Sequence, residues 1–469
     1  MEKVHEQTGK FGRWIRNSIS ARMLMIGFLI LILLIPLSYV KDIIRERQYN
    51  QKAMISEINK KWGGEVMLYG PMLKVPYKTY SVKRIYNQNT KTYQEETIEN
   101  IHNAYFFPNK LSVSSIVNPQ PKKRGIYETA VYGSEIHIDG NFTRPDFSEK
   151  DLEEKDIIWE KSKLIIETSN LKGVSSLVEI NLNKNNYAFE SKYDHSTPNS
   201  NDNYYDLDKH SYEYLTLHKL ESKSIKKTDL PIENPVSFSL KMNVNGSKQI
   251  RFIPVGKETD VNIKSNWKTA NFLGEYLPYN PDKIKEDGFD AKWKVLDINR
   301  PFPQQSFNGI PNLKKYAFGV NFMIPVDQYQ KSERSAKYGF LVISLTFLVF
   351  FLIQTMSKIS IHPFQYLMIG IALTMFYTLL ISISEHSNFL NAYLLAGISV
   401  VALITLYSKS ILKTFKFPMF IGISLTALYT FIFIIIQLES YALLVGSVGL
   451  FLILASVMYA SRKIDWQNG

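Results

Sequence analysis

The sequence predicts a membrane protein: six transmembrane α-helices plus a large all-β, sandwich-like extracytoplasmic domain between helices 1 and 2. Three observations predict it. Six runs without a single charged side chain are each long enough to cross a bilayer. One run stands near the N-terminus and five crowd the last third of the chain. Between them lies a polar block of roughly 300 residues whose apolar positions alternate with period two and are punctuated by turn residues.

The first run, Met23–Val40 (MLMIGFLILILLIPLSYV), follows a basic tail, residues 1–22, that carries Lys10, Arg13, Arg16 and Arg22. It continues as SYVKDIIRERQ without a small-x-small cleavage pattern, so an uncleaved anchor is expected. Phe11, Trp14, Ile15 and Ile19 share a helical face that suits either a headgroup-bound helix or a frayed basic tail. The other spans are expected at 338–356, 364–384, 389–407, 417–436 and 441–460, within residues 338–461. As one helix, Phe364–Tyr407 would measure roughly 66 Å, about twice a bilayer core. It must fold back, and Glu385-His386-Ser387-Asn388 is the polar cluster near its midpoint.

Charge fixes the expected orientation. A basic tail favours a cytoplasmic N-terminus. Alternating from there, Lys358, Lys409, Lys413, Lys416, Arg462 and Lys463 fall inside, and the two lone glutamates, Glu385 and Glu439, fall outside. Glu385, His386 and Glu439 are therefore expected in hairpin turns at the outer surface. The C-terminal tail, residues 462–469, is expected in the cytoplasm, and residues 41–337 in the periplasm of a cell with two membranes.

An internal repeat lies within the spans. IGIALTMFYT (Ile369–Thr378) and IGISLTALYT (Ile421–Thr430) share seven of ten positions at a spacing of 52 residues. Each opens a hairpin that turns near a glutamate, which suggests a duplicated helical hairpin in parallel orientation. Gly370 and Gly422, with Thr374 and Thr426, suit close helix contact in lipid.

The central block is expected to begin and end in helix. Residues 41–64 form one stalk, stopped by Gly63-Gly64, and residues 325–337 form another. The stalks place Asp42, Arg45, Glu46 and Arg47 at a depth similar to Glu333, Arg334 and Lys337, so ion pairs between them are expected to couple the outer domain to the bundle. Residues 65–324 read as β. VSFSLKMNV-NG-SKQIRFIPV predicts a hairpin turning at Asn245-Gly246. SLVEINLNKNNYAFES predicts another turning at Lys184-Asn185-Asn186. GIYETAVYGSEIHIDGNF, MLKVPYKTY and KLIIET also read as strands. The polar stretch at 192–210 predicts a long loop or a boundary between two β units.

The chain offers little catalytic machinery to sequence reading. About half of its net charge of +12 lies in short segments beside the apolar runs, which argues for membrane orientation rather than nucleic acid. It has no cysteine, which removes disulfides, thiolate metal sites and cysteine nucleophiles. Zinc-protease, phosphate-loop, nucleophile-elbow and dinucleotide motifs are all missing. Asp206, Asp208, His210 and His218 lie close in sequence and read as a surface loop more readily than as a metal site. No catalytic residue, cofactor or metal ligand is expected. Trp159, Trp267 and Trp293 read as core residues rather than sugar platforms.

Several segments carry a resemblance: YGPMLKVPY (Tyr69–Tyr77), GFDAKWKV (Gly288–Val295), PVDQYQKSERSAKYGFL (Pro325–Leu341), IHPFQYLMIG (Ile361–Gly370), SISEH (Ser382–His386), YALLVGS (Tyr441–Ser447) and Asp465-Trp466. With the span pattern, the chain resembles the CreD-type family of inner-membrane proteins, associated with cell-envelope integrity. One departure is WKTANF from Trp267, where the family pattern leads one to expect a proline-bearing segment. The resemblance implies an envelope-stress or integrity role, often under two-component control, with no catalytic residues to carry over. The expected partners are membrane lipids and an envelope protein, lipid or glycan. Transport or lipid and glycan handling is a second reading, and a periplasmic glycan-active enzyme a third.

Overall fold

The computed structural model describes residues 19–87, 92–150, 152–192, 215–322, 324, 328–357, 359–412, 415–438 and 441–462. The chain divides into two compact units, one of Met1–Ala53 with Val326–Gly469 and one of Met54–Pro325. Lys10, Arg13, Arg16, Phe11, Trp14 and Ile15, and most of the 192–210 stretch, lie outside the described residues. So do Pro325, Lys358, Lys413, Glu439, Lys463 and Asp465-Trp466.

In the helical unit, α1 (Ile19–Trp62) is a single helix of 44 residues. The first span and the charged segment after it are therefore one element, and its part from Met54 onward belongs to the other unit. It stops where Gly63 adopts a φ of 121°, a conformation that disfavours any side chain. The remaining helices are α2 (Gln328–Lys337), α3 (Gly339–Ser357), α4 (Pro363–Ser384), α5 (Phe389–Leu412), α6 (Lys416–Gln437) and α7 (Ala442–Ser461). α1 and α3 to α7 are long and apolar enough to cross a membrane, six helices among the described residues. α3 and α4 are the most buried of the spans, and Tyr366, Leu373, Phe376 and Leu380 of α4 are fully buried.

Of the stalk expected at 325–337, the described part, Gln328–Lys337, does not continue the second span. α2 ends at Lys337, Tyr338 forms a turn, and α3 begins at Gly339. α2 packs against α4 and α6 instead. Its inner face is small, with Ser332, Ser335 and Ala336 fully buried, so backbones approach closely. The repeated glycines also mark close approaches, each to a different partner. A Cβ on Gly370 would lie 2.1 Å from Leu33 of α1, and one on Gly422 2.8 Å from Thr405 of α5.

The second unit holds sixteen strands among the described residues, joined in one mixed sheet. They are β1 (Val66–Asn87), β2 (Thr92–Phe106), β3 (Lys110–Arg124), β4 (Tyr127–Phe142), β5 (Lys163–Thr168), β6 (Glu179–Leu182), β7 (Asn185–Lys192) and β8 (His218–Ser222). After these come β9 (Val236–Ser247), β10 (Gln249–Phe252), β11 (Glu258–Ser265), β12 (Ala270–Leu273), β13 (Ile284–Lys285), β14 (Gly288–Leu296), β15 (Gln305–Ser306) and β16 (Phe318–Phe322). The order is β12-β16-β10-β1-β5-β8-β7-β6-β9-β4-β3-β11-β14-β13, with β2 and β15 branching from β1. Most neighbours are antiparallel; β1 with β10 and β3 with β11 are parallel.

β7 lets this sheet turn back on itself. Its first half pairs with β6 and its second half with β8. The two halves of the strand order then face each other across one core. Trp293 of β14 lies 5.5 Å from Phe318 of β16, ring to ring, and Tyr132 of β4 lies 5.0 Å from Phe322. The hydroxyl of Tyr132 donates to Gln249 O at 2.7 Å, satisfying a group that burial strips of water. β7 and β8 flank the polar 193–214 stretch yet pair with one another, so this stretch divides no sheet.

Two expected turns are corrected. β9 runs straight through Asn245-Gly246, which pair with Gly133 and Tyr132 of β4. The chain bends at Lys248 (φ 64°), and β10 then joins the opposite layer beside β1. Gly246 is thus a packing glycine: a Cβ there would sit 2.5 Å from the Tyr132 ring and 2.7 Å from Val66. The turn between β6 and β7 falls at Asn183-Lys184, with Asn183 at φ 55°, ahead of the expected Lys184-Asn185-Asn186. Asn tolerates that left-handed conformation better than most residues.

Gly246→Ala is expected to destabilise the sheet unit by about 1–3 kcal/mol, the cost of overpacking a filled core. Denaturation of the intact protein followed by tryptophan fluorescence measures it, and an unchanged midpoint would contradict the packing role.

Candidate functional site around Glu385

The turn between α4 and α5 carries Glu385 at the C-terminal end of α4, with its N–H bonded to Ile381 O at 3.2 Å. A carboxylate there faces the negative end of the helix dipole and gains nothing from it. Compensation comes from elsewhere in the chain. The Arg47 guanidinium of α1 lies 3.6 Å from Glu385 Oε1, and the Tyr329 hydroxyl of α2 donates to the same oxygen at 3.3 Å. The Glu385 side chain is only 13% exposed. His386 is exposed beside it, and Asn388 Oδ1 accepts from the Asn391 N–H at 2.8 Å, capping α5.

A second set of charges joins α1 to α2. Arg45 lies 3.9 Å from Glu333 and 3.8 Å from Asp42, and Lys337 lies 3.6 Å from Glu333. Lys331 stands 5.9 Å from the Phe389 ring centroid of α5. Of the charges singled out in the sequence, Asp42, Arg45, Arg47, Glu333, Lys337 and Glu385 thus take part in these contacts. Glu46 and Arg334 are exposed, and no ion pair links them among the described residues. Glu439 lies outside the described residues. Sequence reading missed that Arg47 and Tyr329 meet Glu385. Helical spacing gives depth along α1, whereas the docking of α2 on α4 decides which carboxylate Arg47 reaches.

The sheet unit holds another charge cluster that alternation did not disclose. Glu221 on β8 is 5% exposed and meets Lys74 of β1 at 3.2 Å, Lys192 of β7 at 3.3 Å and Lys163 of β5 at 3.4 Å. Burial acts to raise its pKa, but Lys74 and Lys192 outweigh burial and hold it below the ordinary 4.5. Glu167, on the neighbouring β5, is raised by its burial. Among the described residues no group of three His, Asp or Glu is placed to hold a metal ion. His218 opens β8, while Asp206, Asp208 and His210 lie outside the described residues. Trp159 and Trp293 are buried, and Trp267 packs against the core at its edge.

The fold and these contacts define a class: a multi-pass membrane protein with a large mixed-sheet unit inserted after its first span. A family model described as inner membrane protein CreD matches residues 18–467. The chain belongs to the CreD family of inner-membrane proteins. Inner membrane protein CreD of Escherichia coli (strain K12) is 27% identical over 446 residues, covering 93% of this chain and 91% of its own length.

Arg47→Glu is expected to lower the melting midpoint of the helical unit, and adding Glu385→Arg to restore part of it. Arg47 is 49% exposed, so the coupling should be modest, about 0.2–1 kcal/mol. A double-mutant cycle on the intact protein in lipid nanodiscs reads it; zero coupling removes the pair from the account.

Because Glu221 titrates low in the fold, its stabilising pairs are fully present above the unfolded value near 4.5 and are lost as pH falls through the folded value. Glu221→Gln should cost about 1–3 kcal/mol at neutral pH and soften the acid-induced loss of stability. Identical acid profiles for variant and wild type would refute this.

Proposed function

We propose that this protein serves cell-envelope integrity, or the response to envelope stress, from the inner membrane. Its sheet unit acts on the periplasmic side by binding an envelope component or a partner protein, and it does so without catalysis. Both termini lie in the cytoplasm. The observation that carries the orientation is the division of charge in the loops of the last five spans: the basic loops fall on the side of the basic N-terminal tail and both lone glutamates on the other. The Arg47–Glu385 contact supports the same count. It brings the charged end of the first span to the α4–α5 turn, which six alternating spans assign to one side.

The size of the sheet unit supports a binding role. A single core of this extent is far more than a tether between spans requires, and it presents long exposed strand faces such as that of β3. The contacts around Glu385 supply a route by which the α1 segment next to the sheet unit is coupled to α2 and α4.

Two measurements test this. A fluorescent protein fused to the C-terminus should glow in the cytoplasm, and alkaline phosphatase fused there should stay inactive; the reverse result overturns the orientation. Photo-crosslinking of the intact protein in cells should recover a defined envelope protein, lipid or glycan through exposed positions of the sheet unit. Recovery of bulk lipid alone sinks the binding reading.

A further inference from the structure

β3, β4 and β9 lie side by side, and their outward positions include a patch rich in amide side chains. The register sets Asn118 opposite Gly133, Gly133 opposite Asn245, Gln120 opposite Val131 and Glu135 opposite Asn243. Asn118, Gln120 and Asn243 are exposed, and Asn245 is half-buried. With Trp62, at the end of α1, they line a depression of about 320 Å³, at the small end of ligand sites.

Two features make this more than a polar surface. First, the four amide side chains make no side-chain hydrogen bond to any described residue, although they converge on one hollow. Each primary amide offers two donors and an acceptor. Gly133 leaves backbone as the floor between them. Second, Trp62 is 40% exposed but fixed, because its indole N–H donates to Tyr132 O at 3.3 Å. A held indole that is partly exposed, beside unused neutral donors and acceptors, suits a ligand that has an apolar face and a hydroxylated rim. A pyranose ring has both.

Charge narrows the class. Glu135 is engaged by Lys241 and, at 3.1 Å, by His137, and Lys122 lies 5.6 Å from the Trp62 ring centroid. The one carboxylate that lines the hollow among the described residues is thus matched by Lys241, and the four amides left to read a ligand are neutral.

We propose that this hollow is a glycan-binding site that takes an uncharged pyranose unit, stacked on Trp62 and hydrogen-bonded by Asn118, Gln120, Asn243 and Asn245. It rests on the binding role given to the sheet unit and names the ligand class. An acetamido group on the sugar would add a complementary amide partner.

The test uses the full chain in lipid nanodiscs, free of glycosidic detergent, titrated calorimetrically with chitotetraose and with maltotetraose. Wild type should bind at least one of them with a Kd of about 1 mM or tighter. The paired change Asn118→Ala with Gln120→Ala should weaken binding at least about tenfold without moving the melting midpoint, since both side chains are exposed. Trp62→Ala should abolish binding, and Trp62→Phe should retain part of it. Absence of binding by wild type to both sugars up to about 10 mM overturns the site, as does equal binding by the paired variant. If sugar binding is absent while crosslinking in cells still recovers a defined envelope protein, the glycan site fails and the broader binding role stands.

Discussion

A carboxylate that leaves water needs a donor or a cation, and at Glu385 the chain supplies both. The residue ends α4, where the helix dipole disfavours a negative charge. Arg47 and Tyr329 come from two other helices, one just before the sheet unit in sequence and one just after it. This one group therefore ties together α1, α2 and α4, which share no local sequence. The small inner face of α2 is what allows the tie. With Ser332, Ser335 and Ala336 buried, α2 lies close on the helices beneath it and Tyr329 reaches the turn. Within the spans the sequence keeps charged side chains out of the apolar runs, and the ties between helices there are neutral, such as the Tyr366 hydroxyl that donates to Gln354 Oε1 at 2.8 Å.

The sheet unit follows the same rule by different means. Its strands close over one apolar core because two of them change partners. β7 divides its length between the two layers, and the bend at Lys248 passes the chain from β9 in one layer to β10 in the other. Glu221 is surrounded by lysines on one face, while the hollow beside Trp62 collects uncommitted amides on another. The first arrangement holds strands together, and the second leaves bonding capacity for something from outside the chain.

The helices were legible because a bilayer sets a length and an apolar run meets it without reference to any other part of the chain. The strands were legible because alternation is also local, as the outward and inward sequence of β9 shows. Local signals failed where a distant surface took precedence. Asn245-Gly246 has a strong short-range turn pattern, yet Gly246 serves the Tyr132 ring and the strand continues. Likewise, Asp42, Arg45 and Arg47 announce a charged helix end, but not which partners they take.

The sequence by itself determined the number and place of the spans, the strand-rich middle and the family. Those properties rest on hydropathy, periodicity and residue order, all readable along the chain. Only the tertiary structure decided that the strands form one folded-over sheet, that Arg47 meets Glu385, and that Trp62 gathers amides from β3 and β9. Each of those depends on register and docking between segments tens to hundreds of residues apart, where a shift of one position turns a side chain to the opposite face.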